Sequence, residues 1–95
     1  MVIATMFKWI NKQTVESDRG FVLQFIGRYR MEYREGHRKL TMHIEDGFSA
    51  GRPFVTVNTP IESWDSGPSL SPADVERITA NIKEALEFQG LGSDL

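Results

Sequence analysis

A single amphipathic helix, opened by Ser71-Pro72 and closed by Gly90, follows a long stretch in which apolar residues alternate, and this division constrains the fold more than any other feature of the sequence. Ser71 suits the N-cap and Pro72 the first helical position. Asp74 sits where a carboxylate reaches back to the cap while facing the positive end of the helix. From Pro72 to Phe88, Val75, Ile78, Ile82, Ala85 and Leu86 recur at helical spacing and form the buried stripe, leaving Glu76, Arg77, Lys83, Glu84 and Glu87 exposed. Gly90 supplies the C′ residue, with Leu91 as a hydrophobic clasp.

Upstream the period is two. Tyr29, Met31 and Tyr33 share one face of a strand, with Arg28, Arg30, Glu32 and Arg34 on the other; a later run sets Leu40, Met42 and Ile44 against Thr41, His43 and Glu45. A type II′ turn with Gly36 and His37 at its centre pairs Tyr33 with Leu40, Met31 with Met42 and Tyr29 with Ile44, so all three apolar pairs fall on one face. The wet face of that register sets Arg28 against Glu45, Glu32 against Thr41 and Arg30 against His43. For the hairpin before it, a three-residue loop of Ile26, Gly27 and Arg28 pairs Phe25 with Tyr29 and Leu23 with Met31. Thr14 to Glu16 reads as a short preceding strand. Residues 45 to 53 read as a polar loop, and Phe54 to Asn58 as a strand begun by Pro53 and ended by Pro60.

The helical spacing of Ile3, Met6, Phe7 and Ile10 favours a short docked N-terminal helix over a strand. The expected architecture is one α+β domain: an N-terminal extension (1–13), an antiparallel meander of about four strands (14–59), a Trp/Pro/Gly loop (60–71) and a helix (72–89) packed on one sheet face. At 95 residues the chain forms one core. It has no cysteine, so packing stabilises it without disulfides or zinc thiolates. The apolar run from Met1 to Phe7 is too short to span a membrane and lacks a basic n-region, which points to a cytoplasmic protein with no membrane partner. The charge is asymmetric. Residues 1–52 carry nine Lys/Arg and six Asp/Glu, and residues 53–95 carry two and seven, giving +3 against −5. Such an acidic half suits a solvated helix face and also steers a basic partner.

Candidate chemistry is sparse. Gly47-Phe48-Ser49-Ala50-Gly51 fits the G-x-S-x-G spelling, but both histidines, His37 and His43, precede Ser49 and no helix follows it. His43 and Glu45 share a strand face, yet the register puts arginines opposite them, which repel a cation and favour an ionic ladder. The mix of Arg28, Arg30, Arg34, Arg38 and Lys39 with Tyr29 and Tyr33 resembles a nucleic-acid surface. The alternation sends both tyrosines to the core, away from the arginines, so nucleic acid is disfavoured. Trp64 reads either as a lid on the core or as an interface anchor. The residues give no catalytic group, metal site or cofactor site.

Arg19-Gly20-Phe21-Val22 opening a hairpin, Ile61-Glu62-Ser63-Trp64 leading to Gly67-Pro68-Ser69-Leu70-Ser71, and a helix through Arg77-Ile78 to Gly90 resemble the immunity protein 74 family of bacterial polymorphic toxin systems. The resemblance spans roughly Thr14 to Leu91, and the segment before Thr14 looks like an extension. It implies a small cytosolic protein that binds and neutralises a cognate toxin and has no catalytic residues. Many such toxins are basic nucleases, which the acidic half would suit. On that expectation Trp64, Asp65, Glu76, Glu84 and Glu87 form the partner-binding surface. The alternative is an adaptor or regulatory domain that binds a host protein or a second copy of itself through a sheet edge, and a homodimer is compatible with either reading.

Overall fold

The computed structural model describes residues 6–95. Its strands are β1 (Phe7–Asn11), β2 (Thr14–Ser17), β3 (Phe21–Ile26), β4 (Arg30–Glu35), β5 (Arg38–Ser49), β6 (Arg52–Val57) and β7 (Gly92–Ser93), with one helix, α1 (Pro72–Phe88), before the last. They form a single seven-stranded sheet in sequence order, antiparallel except where β7 joins β6 in parallel. The sheet curls around α1. Val15, Leu23, Met31, Tyr33, Leu40, Met42, Ile44 and Val55 line its inner face, and Ile78, Ile82, Ala85 and Leu86 of the helix fill the hollow.

The α+β class and the one C-terminal helix are as expected; among the described residues the number of strands is seven and not about four. β1 and β7 are the strands not expected, and two segments differ from their expected form. Phe7–Asn11 is a strand and not a helix: Phe7 and Trp9 alternate inward opposite Ser17 and Val15, and the Asn11 side chain accepts from the Gln13 N–H at 2.8 Å to shape the turn. A ten-residue helix gains too little from its own backbone bonds to compete with a paired strand. The part of that helix reading on residues 1–5 lies outside the described residues. Second, residues 45 to 49 are not loop. They continue β5 into a tight hairpin with β6, turning at Ala50 (φ 52°) and Gly51 (φ 78°), the pair of positive dihedrals that a two-residue type I′ turn requires. Pro53 is tolerated there because it pairs with Phe48 at a position that exchanges no hydrogen bonds across β5 and β6.

The Gly36-His37 hairpin has the expected register: Tyr33 opposes Leu40, Met31 opposes Met42, Glu32 opposes Thr41 and Arg30 opposes His43, with Gly36 at φ 62°. The preceding hairpin differs. Phe25 pairs with Met31 and Leu23 with Tyr33, so the loop is Gly27-Arg28-Tyr29 and Ile26 stays in the strand opposite Arg30. A slip of two residues preserves the face of every side chain, which is why alternation alone does not separate the two registers. The slip moves Tyr29 out of the core to a turn, where it is 58% exposed.

The helix has the expected bounds. Ser71 accepts from the Asp74 N–H at 3.1 Å, and Asp74 accepts from the Ser71 N–H at 3.4 Å, completing a capping box. At the other end the Leu91 N–H donates to the Leu86 carbonyl and the Gly90 N–H to that of Glu87, the two bonds of a Schellman cap, with Gly90 at φ 79°. Val75 is half-buried rather than core, lining a shallow cavity with Ile61 and Leu95, and Asn81 takes an unexpected place in the interior. Replacing Ser71 by Ala is expected to lower unfolding stability by about 1 kcal/mol; urea titration should show an earlier midpoint with an unchanged slope.

Candidate protein-binding surface

A chain of polar contacts joins the centre of the sheet to the helix. Tyr33 is fully buried on β4, and its hydroxyl donates to Glu35 Oε2 at 2.5 Å while accepting from Asn81 Nδ2 at 3.1 Å. The other Glu35 oxygen accepts from Arg77 Nη2 at 2.8 Å, and Arg77 Nη1 donates to Asp74 Oδ1 at 2.7 Å. Burial, then the hydrogen bond to Glu35, push the Tyr33 hydroxyl well above the ordinary tyrosine value. Arg77, then Ser71, hold the Asp74 carboxyl below its usual range. A hydroxyl so reluctant to ionise makes a poor base or nucleophile. This cluster serves to fix α1 on the sheet.

The five residues expected to bind a partner do not form one surface. Trp64 is 5% exposed and stacked on Tyr33, with ring centroids 6.4 Å apart and planes at 19°, and Arg38 lies over it at 5.9 Å. It closes the core at the helix N-terminal end. Asp65 is engaged with β5: its carboxylate accepts from the Thr41 N–H at 2.7 Å and from the Thr41 hydroxyl at 2.5 Å, and its own N–H donates to the Lys39 carbonyl. It thereby covers the edge of β5 that faces away from β4. Glu76, Glu84 and Glu87 lie on α1 away from Trp64's packing, with Glu76 and Glu87 separated by about 16 Å of helix axis. Glu84 approaches Arg19 of the β2–β3 turn at 3.8 Å.

At the C-terminal end of α1 lies an aromatic patch absent from the expected site. Phe88 follows Glu87 and is 44% exposed; it stacks on Phe7 at 5.2 Å and lies 6.0 Å from Trp9, itself 50% exposed on β1 beside the exposed Ile10. The curl of the sheet makes this patch, by bringing β1 against the end of α1. Exposed aromatic rings beside acids are the composition of an interface core with a charged margin.

The remaining sequence candidates resolve simply. Ser49 is the last residue of β5, opposite Arg52 and exposed. His43 faces Arg30 as expected, but Arg28 lies in the turn, and Glu45 accepts from Asn58 Nδ2 at 3.2 Å instead. Because Tyr29 sits at that turn with the Arg28 guanidinium 5.8 Å from its ring, the expectation that both tyrosines enter the core holds only for Tyr33. On the outer face Glu32 lies near both Arg34, at 3.4 Å, and Lys39, at 4.0 Å, which partly offsets the basic strip. Among the described residues no group of three or more His, Cys, Asp or Glu is placed to hold a metal ion, and no helix is long and apolar enough to cross a membrane. No family model, curated protein or solved structure matches the chain.

The Tyr33 shift has a pH signature. A pKa raised by folding stabilises the fold in full below the unfolded tyrosine value, near 10, and that stabilisation is lost as pH rises from there toward the folded value. Melting temperatures between pH 8 and 11 should fall more steeply for the native chain than for Tyr33→Phe; parallel curves would show that the hydroxyl does not titrate with unfolding.

Proposed function

We propose that this chain is a non-catalytic binding protein, specifically an immunity protein that neutralises a cognate bacterial toxin by direct contact in the cytoplasm. The observation that carries the reading is the exposed pair Phe88 and Trp9 at the C-terminal end of α1, the end that also carries Glu84 and Glu87. Apolar rings supply desolvated anchors, and the acids steer a basic partner and fix its orientation. A basic nuclease fits this chemistry, since its nucleic-acid groove presents clustered cations that an acidic protein face can occupy. The family resemblance points the same way, and the acidic balance of residues 53–95 places the required charge on the half that contains the helix. The contact surface proposed is therefore Trp9, Glu84, Glu87 and Phe88, with Glu76 at its margin; Trp64 and Asp65 support the fold behind it.

The test is low-salt affinity capture with the tagged protein from the organism that encodes it. Recovery of one large polypeptide whose C-terminal domain kills cells unless this chain is co-expressed supports the reading. Recovery of nucleic acid alone, or of nothing but the bait, overturns it. With the toxin in hand, Glu84→Lys combined with Glu87→Lys should slow association at least tenfold and flatten its salt dependence, whereas Trp9→Ala should mainly accelerate dissociation. An unchanged association rate in the double variant removes this face from the interface.

A further inference from the structure

The second half of β5 has an open edge. Its ladder with β4 ends at His43, opposite Arg30, with one further bond from the Ile44 N–H to the Tyr29 carbonyl, after which the β3–β4 hairpin turns away. The hairpin to β6 fixes which groups are left over. Ser49 and Arg52 flank a two-residue turn and so exchange hydrogen bonds, as do Gly47 with Phe54 and Glu45 with Thr56. The Asn58 N–H bond to the His43 carbonyl continues that alternation. The N–H and C=O groups of Asp46 and Phe48 therefore point to the opposite edge, where no described residue pairs with them. Phe48 is 79% exposed, the most exposed of the large apolar residues described. It stands on the rim of a cavity of about 490 Å³ whose lining includes Phe25, Ile44, Val55 and Leu91.

We propose that this edge pairs with the same edge of a second copy, joining two β5 strands antiparallel about Gly47. The edge is complementary to itself. With Gly47 opposite Gly47 of the second copy, Asp46 falls opposite Phe48 in both directions, and those are the residues whose backbone groups face outward. Each such pair exchanges two hydrogen bonds, so the open groups of Asp46 and Phe48 in both strands are satisfied. Gly47 then occupies a position that exchanges no bonds, where backbones approach most closely and a small residue fits. On the inner face the Phe48 ring of one copy lies diagonal to Ile44 of the other, within reach of an aromatic side chain and at the mouth of the apolar cavity. On the outer face Arg52, Ser49 and Glu45 of the second copy fall in one row across the join, so the basic end of one edge meets the acidic end of the other. Arg52 has no ion-pair partner among the described residues. The Ala50-Gly51 turn carries the second copy's chain away toward its β6 at the point where Tyr29 ends the β4 ladder. An unprotected edge presenting a large apolar side chain is otherwise a route to uncontrolled pairing, and a closed two-fold contact removes it.

The contact is short and belongs to the reversible class, so it is read over a concentration series. In sedimentation equilibrium the native chain is expected to pass from monomer to dimer, without larger species, as concentration rises into the hundreds of micromolar. Phe48→Lys should remain monomeric throughout with a native far-UV circular dichroism spectrum, whereas Ile10→Lys, on the β1 edge, should dimerise like the native chain. Gly47→Cys reads the register directly. The chain has no other cysteine, Gly47 has ordinary backbone dihedrals, and nothing described lies within 4 Å of an added Cβ. Opposed cysteines at such a pair are within disulfide range, so mild oxidation should convert it to a covalent dimer. A native chain that stays monomeric, dimers abolished by Ile10→Lys and not by Phe48→Lys, or a Gly47→Cys variant that does not cross-link at concentrations where the native chain is dimeric would each overturn the proposal.

Discussion

The buried Tyr33 ring ties the structure together. It lies between Phe21, at 5.4 Å, and Trp64, at 6.4 Å, and its hydroxyl is held from the helix by Asn81 and from its own strand by Glu35. A phenol in a dry interior must have its polar atom satisfied, and both partners are in place. The consequence spreads outward. Glu35 is held in place by Arg77, and Arg77 is held because Asp74 takes its second amino group, with Asp74 in turn fixed by the N-cap. Sheet, helix and Trp64 loop thus share a single register. A shift in any one of them would leave a buried polar atom without its partner.

That arrangement separates scaffold from surface. The residues in the network and its aromatic stack, including the Trp64 that looked most like an anchor from its residue type, are committed to holding α1 in the hollow of the sheet. Residues outside that network are the acids on the outward side of the helix, the rings of Trp9 and Phe88, and the tail of β5 with Phe48. These are chemically distinct surfaces, one aromatic and acidic at the end of the helix, the other an open strand edge.

Much of the fold was legible in the sequence where local chemistry and periodicity agreed. Gly36 demanded a tight turn and the alternation around it allowed one register; Ser71, Asp74 and Gly90 marked both helix ends by capping chemistry alone. The strand at residues 45 to 49 was not legible, because Glu-Asp-Gly-Phe-Ser has neither β-prone composition nor a buried face. It is a strand because β6 pairs with it. Nor was the Tyr29 turn, since a two-residue slip leaves the inside-outside pattern unchanged. The acidic helix residues were readable as an exposed face, but their aromatic neighbours were not: Trp9 and Phe88 lie far apart in the chain and meet only because the sheet curls.

The parallel placement of β7 concentrates the non-local closure of this sheet in one seam. Strands β1 to β6 follow one another through short turns, so each pairing closes a small loop at little entropic cost. The β6–β7 pairing instead spans the Trp64 loop and all of α1, and the Asp94 carboxylate that accepts from the Val57 N–H lies 37 residues away from it. Its closure spans the whole helix segment, so it carries the largest loop-closure cost in the sheet. It is the place where the ordering of the helix is converted into completion of the sheet, coupling the two layers into one cooperative unit.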